Sequence, residues 1–142
     1  MLAESIASYL TADAGIRAQL GVPRPDNTTG IWPVQAPDEV AAPWLVYQQI
    51  SGNPLQESMQ GTGRLQTARF RFTSYSSTYK QAKQLAGAVK AAMLAADGTM
   101  AAGQTEVHGS WLRLEIDEAE PMLRGTVFAV HLDFEIIYYD NA

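Results

Sequence analysis

Gly125-Thr126-Val127-Phe128-Ala129-Val130-His131-Leu132-Asp133-Phe134-Glu135-Ile136-Ile137-Tyr138-Tyr139 decides the fold. Phe128, Val130, Leu132, Phe134, Ile136 and Tyr138 fall on one side of an extended chain; Ala129, His131, Asp133 and Glu135 fall on the other. A period of two identifies a strand, because successive side chains of an extended chain point to opposite faces. An apolar row of this length needs a cover, so the strand belongs to a sheet packed against helices on one side.

Working outward, Leu112, Leu114 and Ile116 alternate with Trp111, Arg113 and Glu115 and predict a preceding strand, with a turn near Glu120-Pro121. In Leu65 to Thr73, Ala68, Phe70 and Phe72 share one face while Arg69 and Arg71 take the other, the pattern of a half-buried strand. Trp44 to Ile50 reads as a further strand, Trp44 as part of the core, and Ser51 to Gly63 as a loop. Ile31-Trp32-Pro33 is a short extended piece that its proline confines to an edge.

The helical signal is strongest from Tyr79 to Met93, where Tyr79, Ala82, Leu85, Ala86, Val89 and Met93 recur at helical spacing. Ser76 or Ser77 is its expected cap, and Asp97-Gly98 its end, with a polar loop to about Gln104. At the start, Leu2, Ile6, Tyr9 and Leu10 form one helix; Asp13 caps a second containing Ile16 and Leu20, stopped by Gly21. A loop from Pro23 to Gly30 follows. Strands that follow one another without regular crossovers predict an α+β fold in a single domain, residues 1–142. Its expected architecture is an antiparallel or mixed sheet of about four to five strands, with the N-terminal helix pair and one long central helix packed on it.

With 142 residues, 46% apolar, the chain has enough material for a core without staples. The absence of cysteine excludes disulfides, thiolate metal sites and cysteine nucleophiles. A net charge of −5 argues against sequence-blind DNA binding by the whole surface. The first residues lack the basic start of an export signal and no apolar run reaches membrane length, so neither export nor a membrane contact is expected.

Several fragments bear on chemistry. Ser77-Thr78-Tyr79-Lys80 has the serine–lysine spacing of some acyl-transfer enzymes, but a capped helix start with a solvated lysine explains it, and the companion motifs are missing. Gly61-Thr62-Gly63 precedes a strand rather than a helix, which removes the phosphate reading. His131 and Asp133 share a strand face and could form a pair, with His108 as a third metal ligand; solvated sheet-face residues are the commoner outcome. Glu115, Asp117, Glu118 and Glu120 lack calcium-loop spacing and read as a solvated hairpin end. No enzyme, cofactor or metal site is expected.

Charge is unevenly placed. Between Glu57 and Asp97 the only charged residues are six cations: Arg64, Arg69, Arg71, Lys80, Lys83 and Lys90. From Glu115 onward there are seven acids and one base, Arg124. Such a chain could pair head to tail with copies of itself, or neutralise itself within one sheet.

The order of these pieces resembles the tail terminator or tail-completion (head–tail joining) proteins of long-tailed phages and phage-like particles. The resemblance is carried by Tyr9-Leu10-Thr11-Ala12-Asp13-Ala14, Ile31-Trp32-Pro33, Ala36-Pro37, and Ala42-Pro43-Trp44-Leu45-Val46-Tyr47-Gln48-Gln49-Ile50-Ser51-Gly52. Phe70-Arg71-Phe72 with Tyr75, the helix through Ala82 and Ala86, and Phe134 to Tyr139 complete it.

It implies a structural virion protein, assembled in the host cytoplasm, that forms a hexameric ring at the tail–neck region. The ring would cap the tail tube protein, stop its polymerisation, and meet a head-completion or stopper protein of the neck, while DNA passes its channel without specific binding. The alternative is an assembly adaptor or chaperone absent from the mature particle. The candidate interface residues are Trp32, Met59, Arg64, Arg69, Arg71, Trp111, Glu115 and Asp117. Ser51–Leu65 and Pro23–Gly30 are the loops expected to dock or line the channel.

Overall fold

The computed structural model of the chain describes residues 2–20, 30–36, 42–57, 64–96, 98–100, 105–122 and 125–140. Its elements are α1 (Leu2–Ala12), α2 (Ala14–Gln19), β1 (Ile31–Pro33), β2 (Trp44–Glu57), β3 (Arg64–Ser76), α3 (Tyr79–Leu94), β4 (Gly98–Met100), β5 (Thr105–Met122) and β6 (Gly125–Asp140). They build one six-stranded sheet in the order β1-β2-β3-β6-β5-β4. The four long strands run antiparallel to their neighbours, and β1 joins β2 in parallel, so the sheet is mixed. The fold is the expected α+β arrangement; two three-residue edge strands, β1 and β4, flank the four long ones.

The three helices of the described residues lie on one face. Val130, Leu132, Phe134 and Ile136 of β6, with Ala68, Phe70 and Phe72 of β3, meet Ala82, Leu85, Ala86, Val89 and Met93 of α3 in a fully buried cluster. The alanines of α3 let its backbone approach the sheet, and the rings fill the space: Phe72 sits edge-on to Phe134 at 6.0 Å. Leu2, Ile6 and Leu10 of α1 and Ile16 of α2 extend the same cluster. Tyr9 donates its hydroxyl proton to the Ala92 carbonyl at 2.7 Å and ties α1 to the end of α3. Asp13 caps α2 as expected, its carboxylate accepting from the Ile16 amide at 2.9 Å.

Four expectations change. The cap of α3 is Thr78, whose backbone is extended and whose hydroxyl accepts from the Gln81 amide; Ser76 is buried two residues earlier and donates to the Gln81 side chain. Ser51–Gly63 is not all loop: β2 continues to Glu57, with register shifts between Gln49 and Ser51 and between Pro54 and Gln56. Bulges at an outer strand accommodate Gly52 and Pro54, which a regular inner strand would reject. The hairpin is longer than expected, β5 starting at Thr105 and reaching Met122, and the presumed loop after α3 contains β4.

The fourth change concerns faces. Leu112 pairs with Phe134 on the helix side, but a register shift between Leu112 and Leu114 inserts Arg113 as an extra residue. Because side chains alternate with a period of two, one inserted residue turns everything beyond it to the opposite face. Leu114 and Ile116 therefore pair with Asp133 and His131 on the open side, and Glu115 and Asp117 turn towards α3.

Candidate assembly surface

The face of the sheet without helices collects the residues that the core does not use. Cross-strand register orders them in rows. Trp32, Val46, Thr73, His131 and Ile116 form one row across β1, β2, β3, β6 and β5. Gln48, Arg71, Asp133 and Leu114 form the next, and Ser51, Arg69, Glu135 and Trp111 the one after. Trp44, Tyr75, Ala129 and Glu118 lie on the other side of the Trp32 row.

Asp133 is the centre of this face. Although none of the described helices covers it, the residue is only 2% exposed, and two arginines of β3 hold it. Arg71 donates from Nε at 2.7 Å and from its terminal nitrogen at 3.1 Å, and Arg69 donates at 3.3 Å. Hydrogen bonding to this carboxylate holds the Arg71 guanidinium above its ordinary pKa. One row away, His131 contacts the Thr73 hydroxyl at 2.9 Å through Nδ1 and the Glu118 carboxylate at 2.8 Å through Nε2. The possible His131–Asp133 pair is not made, and neither residue is simply solvated: each has its own partners on neighbouring strands. Among the described residues no group of histidines and carboxylates could hold a metal ion. His108 lies apart on β5, 3.8 Å from Glu106.

The acidic cluster of β5 is divided by the pleat. Glu115 receives Lys90 at 3.1 Å and Lys83 at 3.5 Å, while Asp117 receives Lys83 at 3.0 Å and the Tyr79 hydroxyl at 2.6 Å, all on the helix side. The Tyr79 hydrogen bond, and then that of Lys83, lowers the Asp117 pKa; the same contacts raise those of Tyr79 and Lys83. Glu118 faces the other way, towards His131.

Apolar exposure concentrates on the open side of β5. Trp111 is 43% exposed, Leu114 37% and Ile116 38%. The Trp111 ring lies across Gly109, where a Cβ would overlap it, so any larger residue at position 109 would have to displace that ring. Trp44 is not a member of the helix-side core; it stacks on Tyr75 at 5.2 Å on the open face.

The candidate interface residues are therefore divided. Trp32, Arg69, Arg71 and Trp111 share the open face, with Trp32 half-buried beside Val46. Glu115 and Asp117 face α3 instead. Arg64 opens β3, but its side chain, like Met59 and most of the Pro23–Gly30 loop, lies outside the described residues. Arg69 and Arg71 on Asp133, and the α3 lysines on Glu115 and Asp117, are neutralised within the chain, the second of the two arrangements the charge distribution allowed. Leu114 and Ile116 escaped the sequence reading because Trp111 to Ile116 alternates without a visible interruption.

The two long strands bounding the sheet are incompletely covered. β1 pairs with β2 only from Leu45 to Tyr47, and β4 with β5 only from Thr105 to Val107. Among the described residues, no further strand pairs with the outer sides of Gln48–Glu57 or His108–Met122.

These features define a small α+β subunit with one sheet face closed by the described helices and the other face open. The chain belongs to the tail completion protein family, whose gp17 profile matches residues 4–139. It is a structural tail-completion protein. A chain in the structure titled "Virion of native gene transfer agent (GTA) particle" has the same fold, with a TM-score of 0.66 and 19% sequence identity over 97% of this chain and 94% of that one. Comparison with curated protein sequences finds no match.

Proposed function

We propose that the protein sits at the tail–neck junction of a phage or phage-like particle as a hexameric ring, closing the tail tube and receiving the head's connector. The observation that carries this reading is the family match across residues 4–139. The fold is suited to the task. A tube end exposes unsatisfied subunit contacts, and a terminator must satisfy them while offering none to another tube subunit. A subunit with a rigid helix-backed sheet supplies chemically different surfaces on its two faces, which permits one partner on each side. The ring's channel passes DNA without specific contacts, in keeping with a net charge of −5.

Deleting the gene and imaging the particles tests the reading. The expected result is tails of uncontrolled length that fail to join filled heads, with normal heads and normal tails restored by the gene in trans. Mass spectrometry of purified wild-type particles must find the protein. Its absence from mature particles would replace this reading with that of an assembly adaptor.

A further inference from the structure

We propose that copies of this chain join edge to edge, the outer side of β5 in one copy adding as a strand to the outer side of β2 in the next. This rests on the ring reading above and specifies its contact. Long edge strands offer unpaired backbone groups to other chains, and soluble proteins usually blunt them with charged side chains, bulges, proline or a cover. Of the charges on β5, Glu115 and Asp117 are turned towards α3 and engaged there, and Glu118 holds His131. From His108 to Met122, β5 has no lysine and a single proline, Pro121, near its tip, and it carries the exposed Trp111, Leu114 and Ile116.

The orientation fits a ring. Three successive antiparallel pairings separate β2 from β5, so the two edges run in opposite directions. Rotation about an axis along the strands therefore sets β5 of one copy antiparallel to β2 of the next, with all open faces on one side. The contact is heterologous, as a closed ring requires.

The irregularities of the two strands select a register. With Ser51 opposite Glu118, Asn53 falls opposite Ile116, and Glu57 opposite Leu112. Neither β1 nor β4 stands in the way, since each covers a part of its neighbour outside this ladder. Open-face positions meet open-face positions, and helix-side positions meet helix-side positions. That match survives along the ladder because the bulge between Pro54 and Gln56 lies beside the bulge between Leu112 and Leu114.

Charge supports the same register. Ser51 pairs with Arg69 inside its own sheet, so joining places Glu118 of one copy two strands from Arg69 of the next, roughly 10 Å away, with only a serine between them. Arg69 makes the longer of the two arginine contacts to Asp133, through one terminal nitrogen at 3.3 Å, and its side chain is 38% exposed. Arg69 and Glu118, which hold Asp133 and His131 within one copy, thus add a longer-range attraction across copies, while Arg71, Glu115 and Asp117 serve the fold alone.

The absence of native cysteine allows a direct test. In the full chain, S51C and E118C are made singly and together at exposed positions, oxidised, and sized under denaturing conditions. The double variant is expected to give a covalent series ending at the size of the assembled ring. Mixed single variants should give dimers only, and each alone none. E118K should raise the concentration for half-assembly by about fivefold, an effect that high salt reduces. A ring by light scattering whose double variant stays uncrosslinked overturns the edge contact and leaves the ring intact. Crosslinking of either single variant by itself overturns it in favour of a two-fold contact. A chain that remains monomeric overturns both readings.

Discussion

Arg71 grips Asp133 with two donors, at 2.7 and 3.1 Å, over a carboxylate that is almost completely buried on the sheet face opposite the described helices. The two arginines that hold the acid are themselves about one-third exposed, 38% for Arg69 and 31% for Arg71. Removing Arg71 strands a buried charge; removing Arg69 leaves the better pair in place. R71A is expected to cost roughly 2–3 kcal/mol, at or below the lower end for broken buried pairs because water can reach the site, and R69A about 1 kcal/mol or less. Urea unfolding of the two variants measures the difference, and equal losses would show that the two arginines share the acid evenly.

The bulge at Arg113 separates two leucines that look equivalent in sequence. Leu112 packs against the helix-side core, so L112S should lose about 1–2 kcal/mol, whereas I116S should stay within about 0.5 kcal/mol of the parent. Denaturant midpoints distinguish them. A regular β5 without the inserted residue would place both side chains on one face, and the two losses would then be comparable.

Thr78, not its serine neighbours, caps α3. T78A is expected to lower stability by about 1 kcal/mol and S77A by less than about 0.5 kcal/mol. Thermal unfolding of the pair checks the assignment, since the two side chains are adjacent and equally exposed in class.

Asp117 connects β5 to α3 through Tyr79 and Lys83, and both contacts lower its pKa below the ordinary value of 3.8. A depressed folded-state pKa means that the stabilisation is present above the unfolded value and is lost as pH falls through the folded one. Stability should therefore decline below about pH 4, and D117N should flatten that decline. The raised values of Tyr79 and Lys83 act at the opposite end: their contribution is complete below their unfolded values and fades as pH rises through the folded ones. Unfolding free energies measured from pH 2 to 6 would reveal an unchanged slope in D117N if the contact carried no weight.

The sequence by itself determined the sheet, its helix cover and its core, because each depends on local periodicity: two along Phe128–Tyr138 and Ala68–Phe72, and the helical spacing from Ala82 to Met93. It also identified Asp13 as a cap, since a carboxylate before a short apolar turn has one nearby set of amides to accept from. What only the tertiary structure decided lies in relations between strands. The inserted Arg113 sends Leu114 and Ile116 outward and divides the acidic cluster between two faces, and alternation within β5 alone gives no sign of it. Asp133 read as a solvated partner for His131 because they share a face of one strand; the arginines and threonine that claim them come from β3, more than fifty residues earlier. Periodicity is written within a segment, whereas register and ion pairing are settled only when distant segments meet.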